Sequence, residues 1–248
     1  MKKILEIENL SYSYDKLNVL ENINLDILDN DFLAIIGPNG GGKSTLLKLI
    51  LGLLKIKEGK IKKHLKKELL AYVPQNTNLN TDFPITALEV VLMGHVPSSK
   101  QIFGYSKDDI ACAINSLKKV SMENFTNSKI GDLSGGQRQR VFIARALCSK
   151  PEVMLLDEPT ASIDVKGQKE IYELLKKLNE TIAIVVVSHD ISVLMNYAKN
   201  VAHVNKNLVY HHLKNIEQNV NTEGEHLCEV ELLSALGKKQ VCCNHTHE

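Results

Sequence analysis

Three short stretches carry residue types that could handle a triphosphate. Gly37-Pro38-Asn39-Gly40-Gly41-Gly42-Lys43-Ser44-Thr45 fits the pattern G-x-x-x-x-G-K-[ST]. Glycines let successive backbone N–H groups turn toward phosphate oxygens. An ammonium at Lys43 would then reach the β- and γ-phosphates, and the Ser44 hydroxyl would ligate Mg²⁺. The second stretch is Asp157-Glu158, directly after Val153-Met154-Leu155-Leu156. An Asp in that place can hold Mg²⁺ beside the phosphates, and the Glu can polarise an attacking water as general base. The same pair could also do no more than cap a helix after Pro159-Thr160. The third is Ser134-Gly135-Gly136-Gln137, where exposed N–H groups behind a serine make a second anion site or a plain N-cap.

Each stretch needs a scaffold, and the flanking patterns supply one. Phe32-Leu33-Ala34-Ile35-Ile36, Val153 to Leu156 and Ile182 to Val187 are nearly continuous apolar runs, as in strands covered on both faces of a parallel sheet. Each ends in polar chemistry, at Gly37, at Asp157-Glu158 and at Ser188-His189. Ligands of open α/β sheets bind beyond such strand ends. The segment from Ile4 to Ile27 alternates instead, which predicts half-buried antiparallel strands. From Thr86 to about Lys150 the pattern is helical, with one helix after Lys107-Asp108-Asp109 and another just after Ser134.

The predicted fold class is therefore α/β: a P-loop NTPase core with a mostly parallel sheet, an N-terminal antiparallel β subdomain and an inserted α-helical subdomain. The expected boundaries are 1–215 for the nucleotide-binding domain, with the helical insertion at about 82–150, and 216–248 for an acidic appendage containing His and Cys. The Lys-rich stretch from Lys55 to Lys67 reads as the solvated face of a surface hairpin, since no aromatic platform interleaves it.

Composition narrows the function classes. A formal net charge of +1 argues against a nucleic-acid partner. Five cysteines without a scaffold spacing favour a reducing compartment, and Cys112 and Cys148 read as small core residues. No apolar run reaches the ~18 residues a membrane-spanning helix needs.

Taken in order, the chain resembles the ATP-binding subunits of ABC transporters, from the first strand to about residue 212. The resemblance rests on the phosphate loop at Gly37–Thr45, Gln75 in Tyr72-Val73-Pro74-Gln75, Leu133-Ser134-Gly135-Gly136-Gln137, Asp157-Glu158, Ser162-Ile163-Asp164 and His189. It departs in detail at Gly41, where Ala or Ser is frequent, and at Ile163, where Leu is common. The resemblance implies ATP and Mg²⁺ as cofactors and a head-to-tail homodimer. Ser134, Gly135, Gly136 and Gln137 of one copy would cover the phosphate held by Lys43 of the other. Lys43, Gln75, Glu158 and His189 would be catalytic, Ser44, Gln75 and Asp157 would face Mg²⁺, and Asp164 would link the two sites. Tyr14 would stack on adenine, with Tyr12 as its rival.

Cargo is signalled more weakly. Phe83-Pro84-Ile85-Thr86 and Leu88 to His95, together with Val141 to Leu147, resemble importers of the zinc/manganese/iron type. This implies integral membrane permease subunits, an extracytoplasmic metal-binding protein and a place on the cytoplasmic face of the plasma membrane. The expected cargo is zinc first, then manganese or iron. The alternative is a soluble ABC ATPase without a permease, for cluster assembly or DNA maintenance. His226, Cys228, Cys242, Cys243, His245 and His247 form a candidate Zn²⁺ set in the tail, although no closed-site spacing is present.

Overall fold

The computed structural model describes residues 2–65, 70–75, 83–95, 104–161, 163–189 and 196–213. The first half contains β1 (Lys3–Tyr14), β2 (Leu17–Leu28), β3 (Phe32–Ile36), α1 (Lys43–Leu51), β4 (Glu58–Lys63) and β5 (Leu70–Val73). Three helices follow, α2 (Ala87–Leu92), α3 (Lys107–Lys119) and α4 (Gly135–Cys148). The remainder is β6 (Val153–Asp157), α5 (Val165–Leu178), β7 (Ala183–Val187), β8 (Asn200–Asn205) and β9 (Asn207–His212).

The alternating N-terminal segment forms the antiparallel pair β1–β2, with Leu5, Ile7, Leu10, Ile23, Leu25 and Ile27 turned into the core. β4 completes a sheet of order β2-β1-β4. This corrects the surface-hairpin expectation for the Lys-rich stretch. The partner of β4 is β1, far upstream, and Lys60 and Lys62 meet Glu8 and Glu6 across the strands at 2.7 and 3.3 Å. The lysines sit on an edge strand, where charge discourages pairing with another chain.

A second sheet has the order β5-β6-β7-β3-β8-β9, parallel except for β9. Every residue of β3, β6 and β7 is buried, which explains the unbroken apolar runs. One face packs on α1 and the β1–β2 pair, and the other carries α2, α4 and α5. α5 lays Ile171, Tyr172, Leu174 and Leu175 on this core, each such burial contributing about 1.5–3 kcal/mol.

Three of the helices, α2, α3 and α4, start on side-chain caps. Thr86 with Glu89, Ser106 with Asp109 and Ser134 with Gln137 each form a reciprocal capping box. The half-buried Cys112 and buried Cys148 lie between α3 and α4, where burial pushes the Cys148 thiol up to about 12. Such a thiol stays protonated and packs as a small apolar group. The appendage expected at 216–248 lies outside the described residues.

Candidate functional site

The phosphate loop leaves β3 at Gly37 and turns into α1 at Gly42, whose φ of 102° is left-handed. Gly37 itself has a φ of 143°, and a Cβ there would stand 2.0 Å from the Val204 carbonyl oxygen. Only glycine meets both demands. Gly41 is closed in by the same carbonyl, and its own oxygen accepts from the Lys206 N–H at 3.1 Å. The β8–β9 turn thus braces the loop from behind. Pro38, Asn39 and Gly40 are exposed at its tip, Ser44 is exposed in the first turn of α1, and Thr45 is half-buried.

Lys43 is buried, and its Nζ donates to the Gly37 and Pro38 carbonyls at 2.8 and 2.9 Å. The loop is therefore already curled around its ammonium. Burial pulls the Lys43 pKa down, opposed by the negative charges of Glu158 and Asp157. A cation held this way faces a triphosphate without having to shed a protein carboxylate first.

Asp157 ends β6, buried next to Lys43 and Glu158. Burial first, and then the charge of Glu158, raise its pKa. The Tyr72 hydroxyl on the neighbouring strand donates to its Oδ2 at 3.4 Å. Burial and Asp157 push that phenol up to about 12, so it stays protonated and a donor.

Glu158 has a φ of 47°, a conformation that costs a non-glycine residue roughly 1–2 kcal/mol. Its N–H donates to the Val187 carbonyl at 2.8 Å, which ties the turn to β7. The strain turns the Glu158 side chain toward two exposed partners. Gln75 Nε2 donates to its Oε2 at 2.5 Å, and His189 Nδ1 stands 3.5 Å from its Oε1. Gln75, Glu158 and His189 come from three separate strand ends and meet at one carboxylate. His189 is exposed, which excludes a core histidine. A buried Asp157 carboxylate, with the Ser44 hydroxyl and the Gln75 side-chain oxygen as further hard donors, is the chemistry that suits Mg²⁺.

Ser134 caps α4, with its Oγ accepting from the Gln137 N–H at 3.3 Å. A separate cavity of about 360 Å³ opens there, lined by Ser134, Gly135, Gly136, Gln137, Arg140 and Asp164 among others. Asp164 is the N-cap of α5, makes no side-chain cap bond and lines that cavity. No phosphate-loop residue lines it. Within one chain the N-terminus of α4 therefore opens on a cavity that the phosphate loop does not line.

A family model described as "ABC transporter" matches residues 20–161. The zinc uptake system ATP-binding protein ZurA of Listeria monocytogenes is 44% identical over 85% of this chain and 86% of its own length. The chain belongs to the ABC transporter family. The manganese transport system ATP-binding protein MntB of Halalkalibacterium halodurans is 41% identical over 84% of this chain and 86% of its own. Among solved structures, the ATP-binding cassette MJ0796 in a dimeric post-hydrolysis state bound to ADP and Pi is 32% identical. It superposes with a TM-score of 0.68 over 84% of this chain and 98% of that one. The chain is an ABC ATPase.

Two further placements bear on this ABC cassette. Tyr14 is 41% exposed and Tyr12 only 8%, with the rings edge-to-face at 5.0 Å. Tyr14 therefore has a free face to offer, and Tyr12 does not. Sequence reasoning missed the brace from Val204 and Lys206, and it missed Tyr72, which it quoted only as a neighbour of Gln75. It also missed His203, which lies opposite Ile36 in the β3–β8 register. Burial, and then Lys43, lower the pKa of that imidazole. Strand adjacency is the one signal that could have found them. Ser162 and the zinc set His226, Cys228, Cys242, Cys243, His245 and His247 lie outside the described residues. Among the described residues, no helix is long and apolar enough to cross a membrane, and no three or more His, Cys, Asp or Glu side chains come together as a metal-ligand cluster.

Proposed function

We propose that this chain is the ATP-hydrolysing subunit of a metal-ion importer, zinc first and manganese or iron next, working as a head-to-tail homodimer on membrane permease subunits. One observation carries the catalytic part: a single carboxylate, Glu158, takes Gln75 on one oxygen and His189 on the other while Lys43 waits alongside. The cargo rests on relatives named for zinc uptake and manganese transport. An extracytoplasmic metal-binding protein would deliver that cargo, and the cassette would act from the cytoplasmic face.

In this reading the backbone N–H groups of Gly40 and Gly42 cradle the phosphates, while the Gly41 N–H holds the loop's turn on the Pro38 carbonyl, and Lys43 follows the γ-phosphoryl charge. Ser44, Asp157 and Gln75 would hold Mg²⁺, which when bound screens the charge between the β- and γ-phosphates. Glu158 takes the proton of the attacking water, Gln75 orients that water, and His189 holds the γ-phosphate. Ser134 and the N-terminus of α4, supplied by the second copy, close over the same phosphate. Asp164 beside them couples one site to the other. Closing and reopening the dimer then moves the membrane subunits, so the cargo need never touch this chain.

The test is Glu158→Gln, which keeps shape and removes the base. Hydrolysis should drop by roughly 10²–10⁴-fold, while ATP affinity holds and ATP now yields a stable dimer on size-exclusion chromatography. Wild-type turnover in that variant sinks the base assignment. For the cargo, the complex of this chain with its membrane subunits should show ATP-driven uptake of zinc in proteoliposomes. A chain that purifies with no membrane subunit would favour the soluble alternative.

A further inference from the structure

We infer that the Tyr72 hydroxyl is a positioning group for Asp157: it occupies Oδ2 and thereby fixes which carboxylate oxygen is presented to the divalent cation accompanying ATP. This rests on the proposed reading of Asp157 as a cation-facing carboxylate. The geometry behind it is local and specific. Tyr72 and Asp157 stand on adjacent parallel strands, β5 and β6, whose register sets Tyr72 opposite Leu155, two residues before Asp157. The phenol reaches along the strand to end 3.4 Å from Oδ2.

Two neighbouring donors are engaged elsewhere. Lys43 Nζ is spent on the Gly37 and Pro38 carbonyls, and Gln75 Nε2 on Glu158. A buried carboxylate beside a second carboxylate turns freely about its last bond unless something holds one oxygen. Tyr72 is that holder. The same strand delivers Gln75 three residues later, so β5 positions both the residue that touches Glu158 and the one that touches Asp157.

Tyr72→Phe removes the hydroxyl and keeps the ring. Fluorescent-nucleotide affinity measured in EDTA should match wild type, since the phosphate loop is untouched. The Mg²⁺ concentration that half-saturates tight nucleotide binding should rise about tenfold, the usual scale for losing a group that orients a metal ligand. Turnover at limiting Mg²⁺ should fall and recover at high Mg²⁺, a split that a merely structural tyrosine would not give. In an Asp157→Asn background the second substitution should change nothing further. An unmoved Mg²⁺ titration in Tyr72→Phe, with Asp157→Asn shifting it, overturns the Tyr72 inference alone. If Asp157→Asn itself leaves the titration unmoved, the cation-facing reading of Asp157 falls first. A loss of affinity already present in EDTA would make Tyr72 a prop of the phosphate loop and would also overturn the inference.

Discussion

At the residue scale, the site depends on side chains held where they could not rest by themselves. Glu158 accepts a left-handed backbone, and Gly37 a conformation and a 2.0 Å approach that no Cβ could share. The two N-terminal tyrosines show how exposure separates equal candidates. Adenine binding needs an open π-face, and only Tyr14 offers one. Tyr14→Ala should weaken ATP binding by about tenfold, within the ~1–3 kcal/mol of a base stacked on an aromatic ring, with little change in melting temperature. Tyr12→Ala should do the reverse, since it empties a core position and destabilises the fold by about 3 kcal/mol. Titration calorimetry and thermal melts on the two variants decide it. Equal ATP affinity in Tyr14→Ala and wild type removes the stacking role.

At the scale of elements, α4 joins packing to chemistry. Its N-terminus is capped by Ser134, and the same oxygen faces the cavity shared with Asp164. Ser134→Ala should cost about 1 kcal/mol as a lost cap and also reduce turnover, so that variant alone cannot separate the two roles. Ser134→Asp can. Aspartate caps as well as serine, so stability should stay within about 0.5 kcal/mol, yet a negative charge now sits where a phosphate would bind and turnover should collapse. Urea melts with parallel hydrolysis assays check this; an active Ser134→Asp enzyme would return the serine to a plain cap. Much at this scale was legible in the sequence, because the signals are local. Period-two alternation marked β1 and β2, nearly continuous apolar runs marked β3, β6 and β7, and Ser134 as a possible N-cap marked the start of α4. What stayed hidden depends on neighbours across the sheet. The pairing of β4 with β1, the brace from Val204 to Gly37 and the reach of Tyr72 to Asp157 join residues far apart in the chain. No periodicity carries that information, and only the strand orders β2-β1-β4 and β5-β6-β7-β3-β8-β9 reveal it.

At the scale of the whole molecule, the division of the site decides how many chains a turnover needs. The cavity at Ser134 contains no phosphate-loop residue, while Lys43, Asp157 and Glu158 cluster at the strand ends. If two copies pair head to tail, each site takes its base from one chain and its serine from the other. Two dead variants then rescue each other. Glu158→Gln and Ser134→Asp should each be inactive alone. Mixed in equal amounts before ATP is added, they should pair so that about half of the dimers are mixed, as expected for a symmetric pair of identical interfaces. Each mixed dimer concentrates both defects in one site and leaves the other intact. Hydrolysis should therefore recover to about a quarter of the wild-type rate if the intact site works independently, and to less if Asp164 makes each site depend on its twin. No recovery at any mixing ratio, with mixed dimers demonstrated by differential tagging, would mean that Ser134 serves the phosphate of its own chain. That outcome would require Ser134 to reach the phosphate loop of its own chain, a rearrangement for which the packed core of α2, α3 and α4 leaves little room.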